Sequence, residues 1–192
     1  MDIFDDLAKR DIKRMANYRQ NLAFYKGKQW QGIPESIARR ERRRTLNYTK
    51  LVIAKVTAYL MSALDFAADA EMYDGDAARA AAAEAELYRI YNTQQLALLD
   101  FDTELDTAVL GDGAYRITWD HTREDVAVSA PDVQSLWAWP SADGRETIRI
   151  AHTYTLTESQ AAQDATHAPL AAAGRRVAEL WTPTELEVWA RP

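Results

Sequence analysis

The hydrophobic pattern of this chain changes its period at one glycine turn, and this change constrains the fold more than any other feature. Before Gly111-Asp112-Gly113, apolar residues recur every three to five positions, which predicts amphipathic helices. After the turn, apolar and polar residues alternate, which predicts strands. Helices that precede strands, instead of alternating with them, are typical of the α+β class. We therefore expect amino-terminal helices followed by a mostly antiparallel sheet.

Four helices are predicted before the glycine turn. Asn47 is a suitable N-cap for the second helix, because its side chain can accept a hydrogen bond from a backbone amide. This second helix is the more apolar of the first two, so we expect it to lie in the core. Its predicted core residues are Leu51, Val56, Tyr59 and Leu60. The four helices are predicted over residues 2–25, 47–64, 77–91 and 94–110.

Short strands are predicted after the turn. Tyr115, Ile117 and Trp119 share one side of the first strand, and the chain then turns at residues 121–125 and returns through residues 126–128. We interpret this pair as a β-hairpin. A short capped helix is predicted over residues 157–167. Further strands are predicted over residues 135–139, 147–156, 177–182 and 186–190.

The composition describes a folded, soluble protein of about one domain. Hydrophobic residues make up 47% of the 192 positions, and six of them are tryptophans, which is enough to build a core. The chain has no cysteine, which excludes a disulfide scaffold, a thiolate zinc site and a cysteine nucleophile. The longest apolar run, residues 51–54, is far shorter than the ~20 residues that cross a bilayer. We expect no membrane contact.

Charge is segregated along the chain. Residues 1–50 contain 13 Lys and Arg against 6 Asp and Glu, and the remaining residues contain 10 against 23. The two parts therefore carry net charges of +7 and −13 within a total of −6. The net negative charge of residues 51–192 repels a polyanion. Any DNA contact by a single copy would therefore have to be local, through residues 1–50.

Five arginines close together form the strongest charged feature. They can bind phosphates through bidentate hydrogen bonds, or they can contact an acidic surface on a neighbouring copy. We favour the neighbouring copy, because no aromatic residues that could stack on bases are interleaved with them. The alternative is a stand-alone nucleic-acid-binding module that uses the same residues. The five arginines are Arg39, Arg40, Arg42, Arg43 and Arg44.

The sequence carries no recognisable catalytic motif. Its three histidines, His121, His152 and His167, lack the paired spacing of metal ligands. The glycine turn precedes a strand, whereas a phosphate cradle follows one. We therefore predict neither an enzyme nor a metal or cofactor, although a hydrolase with a carboxylate site at Asp112 and Asp120 is a further alternative. Four other acidic residues could suggest paired carboxylates, but positions two apart on a helix point in different directions. We therefore expect these residues to be solvated. They are Asp100, Asp102, Glu104 and Asp106.

Several short motifs occur in an order that points to a family. The first two are Tyr25-Lys26-Gly27-Lys28-Gln29-Trp30 and, after the arginines, Leu46-Asn47-Tyr48-Thr49-Lys50. The helix–glycine–strand junction of residues 108–117 follows, and then residues 131–140 and 148–154. Over residues 10–155 this succession resembles the amino-terminal part of tailed-bacteriophage portal proteins. The positions that match the family's pattern are Tyr25, Gly27, Gln29, Asn47, Gly111 and Tyr115.

The resemblance implies a structural, non-enzymatic subunit of a ring. Portal rings are typically dodecamers that sit at one capsid vertex of the virion and assemble in the host cytoplasm. Double-stranded DNA passes through the ring during packaging and ejection. The ring contacts capsid protein and docks terminase and head-completion (adaptor) proteins.

The resemblance also implies how the chain is divided. Residues 1–45 correspond to an amino-terminal helix with a basic connection, and residues 46–192 to the α+β wing-like domain. Portal chains are usually much longer, and their stem, clip and crown parts have no counterpart in this sequence. No channel or motor-docking residue can therefore be assigned. We expect either a piece of a longer chain or a reduced portal-like protein.

Overall fold

The computed structural model describes residues 3–28, 30, 46–61, 65–157 and 176–191. Within these ranges, five α-helices come first and antiparallel strands follow, which confirms the predicted α+β class. The chain forms two compact units, one of Met1–Ala16 with Pro131–Pro192 and one of Asn17–Ala130. The division predicted between residues 45 and 46 lies beside residues outside these ranges, and it stays a prediction.

The first predicted helix is interrupted at Asp11. Helix α1 covers Ile3–Lys9 and helix α2 covers Ile12–Tyr25. Asp11 has a φ of 55°, in the left-handed region that Asp tolerates better than most residues. The prediction of one continuous helix is therefore wrong, because apolar spacing along a sequence does not register one left-handed residue. Gly27, with a φ of 70°, follows the end of α2 as predicted.

The unit of Asn17–Ala130 contains three further helices and a hairpin. The helices begin and end near the predicted positions, and the hairpin is confirmed. Asp76 caps the second of these helices by accepting hydrogen bonds from the backbone amides of Ala78 and Arg79. The elements are α3 (Tyr48–Leu60), α4 (Ala77–Thr93), α5 (Leu96–Leu110), β1 (Arg116–Asp120) and β2 (Asp125–Ser129). No helix in the described ranges has both the length and the apolar character that crossing a bilayer requires.

Helix α3 does not lie in the core, and this prediction is wrong. It packs against α5, but the buried residue of α3 is Thr57. A helix can be strongly apolar without having a partner on its apolar side, because only the tertiary contacts decide which side is covered. The four residues predicted for the core are all exposed; they are Leu51, Val56, Tyr59 and Leu60.

The second unit is built on an antiparallel sheet with the strand order β3-β4-β5-β6. Its strands confirm the predicted ones within two residues at each end. They are β3 (Leu136–Pro140), β4 (Thr147–Thr155), β5 (Arg176–Trp181) and β6 (Leu186–Arg191). One sheet was expected, whereas the hairpin β1–β2 forms a separate two-stranded sheet. The helix predicted over residues 157–167 lies outside the described residues from 158 onward.

One face of the four-stranded sheet packs against α1. Buried side chains from α1, β3, β4 and β5 form its core, and they are Leu7, Trp137, Ala151 and Leu180. Phe4 is also buried, and the guanidinium carbons of Arg176 and Arg191 lie 5.2 and 5.1 Å from its ring centroid. Cations over an aromatic face are attracted to it, so these contacts help to hold α1 on the sheet.

Candidate interaction surface

The structure describes five of the eleven residues singled out from the sequence. The arginine cluster, Arg39, Arg40, Arg42, Arg43 and Arg44, lies outside the described residues, and so does Gln29. The other five fall in two places. Tyr25, Gly27 and Asn47 lie around the start of α3, and Gly111 and Tyr115 lie between α5 and β1. Both places belong to the unit of Asn17–Ala130.

Asn47 joins the end of α2 to the start of α3. Its side-chain oxygen accepts a hydrogen bond of 3.0 Å from the backbone amide of Lys50, which confirms the predicted cap. Its side-chain amide donates to the backbone carbonyl of Tyr25 at 2.7 Å. The Lys50 ammonium lies 5.8 Å from the centroid of the Tyr25 ring. An amide side chain supplies both the acceptor and the donor that this position uses.

The junction between α5 and β1 depends on two glycines. Gly111 has a φ of 92° and ends α5, as predicted. A Cβ at Gly113 would clash with the side-chain oxygen of Thr107, so the close approach favours glycine at this position. The Tyr115 hydroxyl donates to Asp100 at 2.7 Å and ties the strand back to the helix.

Acidic residues of α5 line a hollow that the sequence did not predict. Asp102 and Asp106 are exposed, but Asp100 and Glu104 are half-buried beside a hollow of about 370 Å³. These two residues are therefore less exposed than a fully solvated helix face implies. Positions four apart share a face of a helix, and this spacing was the available signal. The pKa of Tyr91 in α4 is raised to about 12, mainly by burial and to a smaller extent by a hydrogen bond with Asp100.

Helix α3 exposes a stripe of apolar side chains. Tyr48, Val52, Val56 and Tyr59 follow one another at spacings of four, four and three, which places them on one face. Their exposed fractions are 64%, 58%, 48% and 83%. We refer to these four residues as the α3 stripe. The charged residues of α3 are Lys50 and Lys55, so the helix that carries the stripe is cationic.

Neither Asp112 nor Asp120 belongs to a metal-holding cluster within the described part of the chain. Asp112 accepts a hydrogen bond from the hydroxyl of Tyr18, and Asp120 accepts from the backbone amides of Thr122 and Arg123 in the hairpin turn. Among the residues that the structure describes, no group of three or more His, Cys, Asp or Glu is placed to hold a metal ion. The absence of an enzymatic activity stays a prediction.

Sequence reasoning missed a buried glutamate in β5. Glu179 accepts hydrogen bonds from the Tyr154 hydroxyl at 2.7 Å and from the indole nitrogen of Trp181 at 3.1 Å. In the sheet it lies opposite His152. These contacts satisfy the polar ends of two aromatic side chains, which is a structural role. A glutamate within a strand gives no local signal that it is buried.

No protein-family model matches the chain, and no curated protein matches its sequence. The resemblance to portal proteins therefore depends on the motifs quoted above. The residue contacts around Asn47 and Gly111 explain why these residue types are needed in this chain, whatever its family. What the resemblance implies about function is a proposal.

Proposed function

We propose that the chain is a ring-forming structural subunit of the portal type, placed at a capsid vertex of a tailed bacteriophage. Copies contact one another side by side, and double-stranded DNA passes through the ring. Terminase and head-completion proteins dock on the assembled ring, and capsid protein surrounds it. The order of the motifs, the segregated charge and the α3 stripe support this proposal.

The α3 stripe is the observation that carries the proposal. Burying apolar surface stabilises a protein by roughly 25 cal/mol per Å². A self-contained monomer would gain by turning such a face towards its own core, and contiguous exposed apolar surface is a mark of interaction sites. An outward apolar face therefore supports a subunit that is completed by another molecule.

The charge distribution supports a second copy as that molecule. Helix α3 carries two lysines and no acidic residue, whereas residues 65–130 contain 15 Asp and Glu against four Lys and Arg. Copies can therefore attract one another by placing the cationic helix of one against the acidic surface of the next. The predicted contact of the arginine cluster would act in the same direction.

Mass photometry and negative-stain microscopy of the 192-residue chain test the proposal. We expect rings of one uniform mass at low ionic strength. Single copies that persist at high protein concentration under these conditions would contradict the ring.

A charge-reversed variant tests the arginine contact separately. Replacing Arg39, Arg40, Arg42, Arg43 and Arg44 by glutamate should abolish assembly, because it reverses the attraction between copies. Arg145→Glu, at an exposed position in the turn between β3 and β4, is the matched control. Rings of unchanged size would show that the five arginines are not part of the contact between copies, while the ring proposal itself would remain.

A further inference from the structure

The hairpin β1–β2 turns its apolar face outwards. The cross-strand register pairs Ile117 with Val128 and Trp119 with Val126, so these four side chains share one face. Ile117 and Trp119 in β1 are 70% and 54% exposed, whereas Val126 and Val128 in β2 are half-buried, as is Thr118 on the opposite face. We refer to Ile117, Trp119, Val126 and Val128 as the hairpin face. Its orientation is the reverse of the usual arrangement, in which the apolar face is covered.

Two side chains hold the hairpin in this orientation. The Arg89 guanidinium donates to both carboxylate oxygens of Asp125, at 2.9 and 2.7 Å. The Gln94 side-chain amide donates to the Val126 carbonyl and accepts from the Val128 amide. A two-stranded hairpin alone is marginally stable in water, so these contacts matter for its placement. The exposed apolar side chains of β1 are therefore presented to solvent by a hairpin that is fixed to the helices.

Charge indicates which surface covers the hairpin face. Two α3 stripes packed against each other would bring Lys55 of both copies close together, because Lys55 borders the stripe, and this is unfavourable. Two hairpin faces packed together would bring residues 65–130 of both copies close to each other. This segment holds 15 acidic residues against four basic ones, so the two copies would repel. A stripe packed on a hairpin face places the cationic helix α3 of one copy against the acidic segment 65–130 of the next. Charge therefore favours the contact between unlike surfaces.

We infer that the α3 stripe of one copy packs on the hairpin face of the next copy. The inference rests on the proposed function and names the two surfaces that join the subunits. A contact between unlike surfaces leaves one stripe and one hairpin face open at the ends of every row of copies, so assembly continues. The row closes into a ring where the rotation between neighbouring copies allows it. Tyr48, Tyr59 and Trp119 bring aromatic rings to this contact, the kind of side chain that dominates binding at interfaces.

Two double variants test the contact, one for each surface. The stripe variant carries Val52→Gln and Tyr59→Gln, which keep good helix propensity. The hairpin variant carries Ile117→Thr and Trp119→Thr, which keep strand propensity. Each should weaken association by about tenfold or more and leave single copies. Met72→Gln changes another exposed apolar residue of the same unit and should assemble normally.

Mixing the two variants gives the sharpest result. The mixture holds an intact hairpin face on the stripe variant and an intact stripe on the hairpin variant, so we expect one-to-one heterodimers and no larger species. Heterodimers would also show that both variants are folded. The inference is overturned if either variant forms dimers by itself, because like surfaces would then pair, or if the mixture stays monomeric.

The wild-type chain separates this inference from the proposed function. If the wild type forms rings and both variants still form them, the named surfaces are wrong while the ring proposal stands. If the wild type remains a single copy, the ring proposal falls and the inference falls with it. Native mass spectrometry distinguishes single copies, heterodimers and rings by mass in the same samples.

Discussion

At the scale of single residues, Arg89 connects the hairpin to a helix. Its guanidinium donates to Glu86 in the same helix and to Asp125 at the start of β2. Hydrogen bonds from Arg89 are the main cause that lowers the pKa of both carboxyl groups. The same hydrogen bonds raise the pKa of Arg89, and the bond with Glu86 has a larger effect than the bond with Asp125. One cation therefore connects α4 to the hairpin.

The pH dependence of unfolding tests this cluster. The folded pKa of Asp125 lies below its ordinary value of 3.8, so its contribution to stability is present above that value and is lost as the pH falls through the folded pKa. We expect Asp125→Asn to lower the unfolding temperature at neutral pH and the difference from wild type to shrink below about pH 4. Circular dichroism at a series of pH values measures it. A difference that stays constant between neutral and acidic pH would contradict the prediction, and Arg89→Gln should behave like Asp125→Asn.

At the scale of elements, α3 and the hairpin share one property. Each belongs to the unit of Asn17–Ala130 and each exposes its apolar side, while a threonine, Thr57 or Thr118, lies on the more buried side. Such an orientation needs strong local contacts, because the hydrophobic effect within one copy does not favour it. For α3 those contacts include the two hydrogen bonds of Asn47 and the packing against α5, and for the hairpin they include those of Arg89 and Gln94.

Substitution of Asn47 tests the anchoring of α3. Asn47→Ala removes the cap and the bond to the Tyr25 carbonyl, so we expect a loss of about 1–2 kcal/mol in the free energy of unfolding. Asn47→Asp keeps the acceptor that caps the helix but loses the donor, and its loss should be smaller. Urea unfolding at pH 7 compares the two variants. Equal losses would show that the cap contributes nothing and that the bond to Tyr25 carries the whole effect.

At the scale of the whole molecule, opposite charges lie on different segments of the same chain. The arginine cluster and the lysines of α3 precede residue 65, and the acidic residues are concentrated after it. In the proposed ring this separation would let copies attract one another, and the α3 stripe and the hairpin face would add a contact that salt does not screen. A ring joined in this way combines long-range attraction with short-range apolar packing.

The salt dependence of assembly tests this combination. We expect association between copies to weaken when ionic strength rises from about 0.05 M to about 0.5 M, because the charges are screened over shorter distances. Association should not vanish, since apolar burial remains. Sedimentation velocity at several salt concentrations measures the change. Association that strengthens steadily with salt would show that charge opposes the contact, and it would contradict the proposed orientation.

Most of the helices and strands could be predicted from short stretches of sequence. The cap at Asn47, the end of α5 at Gly111 and the hairpin from residue 116 to residue 129 follow from interactions within a few residues. Capping, left-handed glycine and strand alternation act locally, so their signals lie in short stretches of sequence. The α+β class then follows from the order of the elements along the chain.

The tertiary structure alone decided which faces are covered. Periodicity showed that α3 and β1 each have an apolar side, but contacts with residues distant in the chain placed Thr57 inside and left Tyr59 and Trp119 outside. The same holds for Glu179, which is buried because Tyr154 and Trp181 meet it across and along the sheet. Burial depends on which elements pack together, and local sequence patterns do not contain that information.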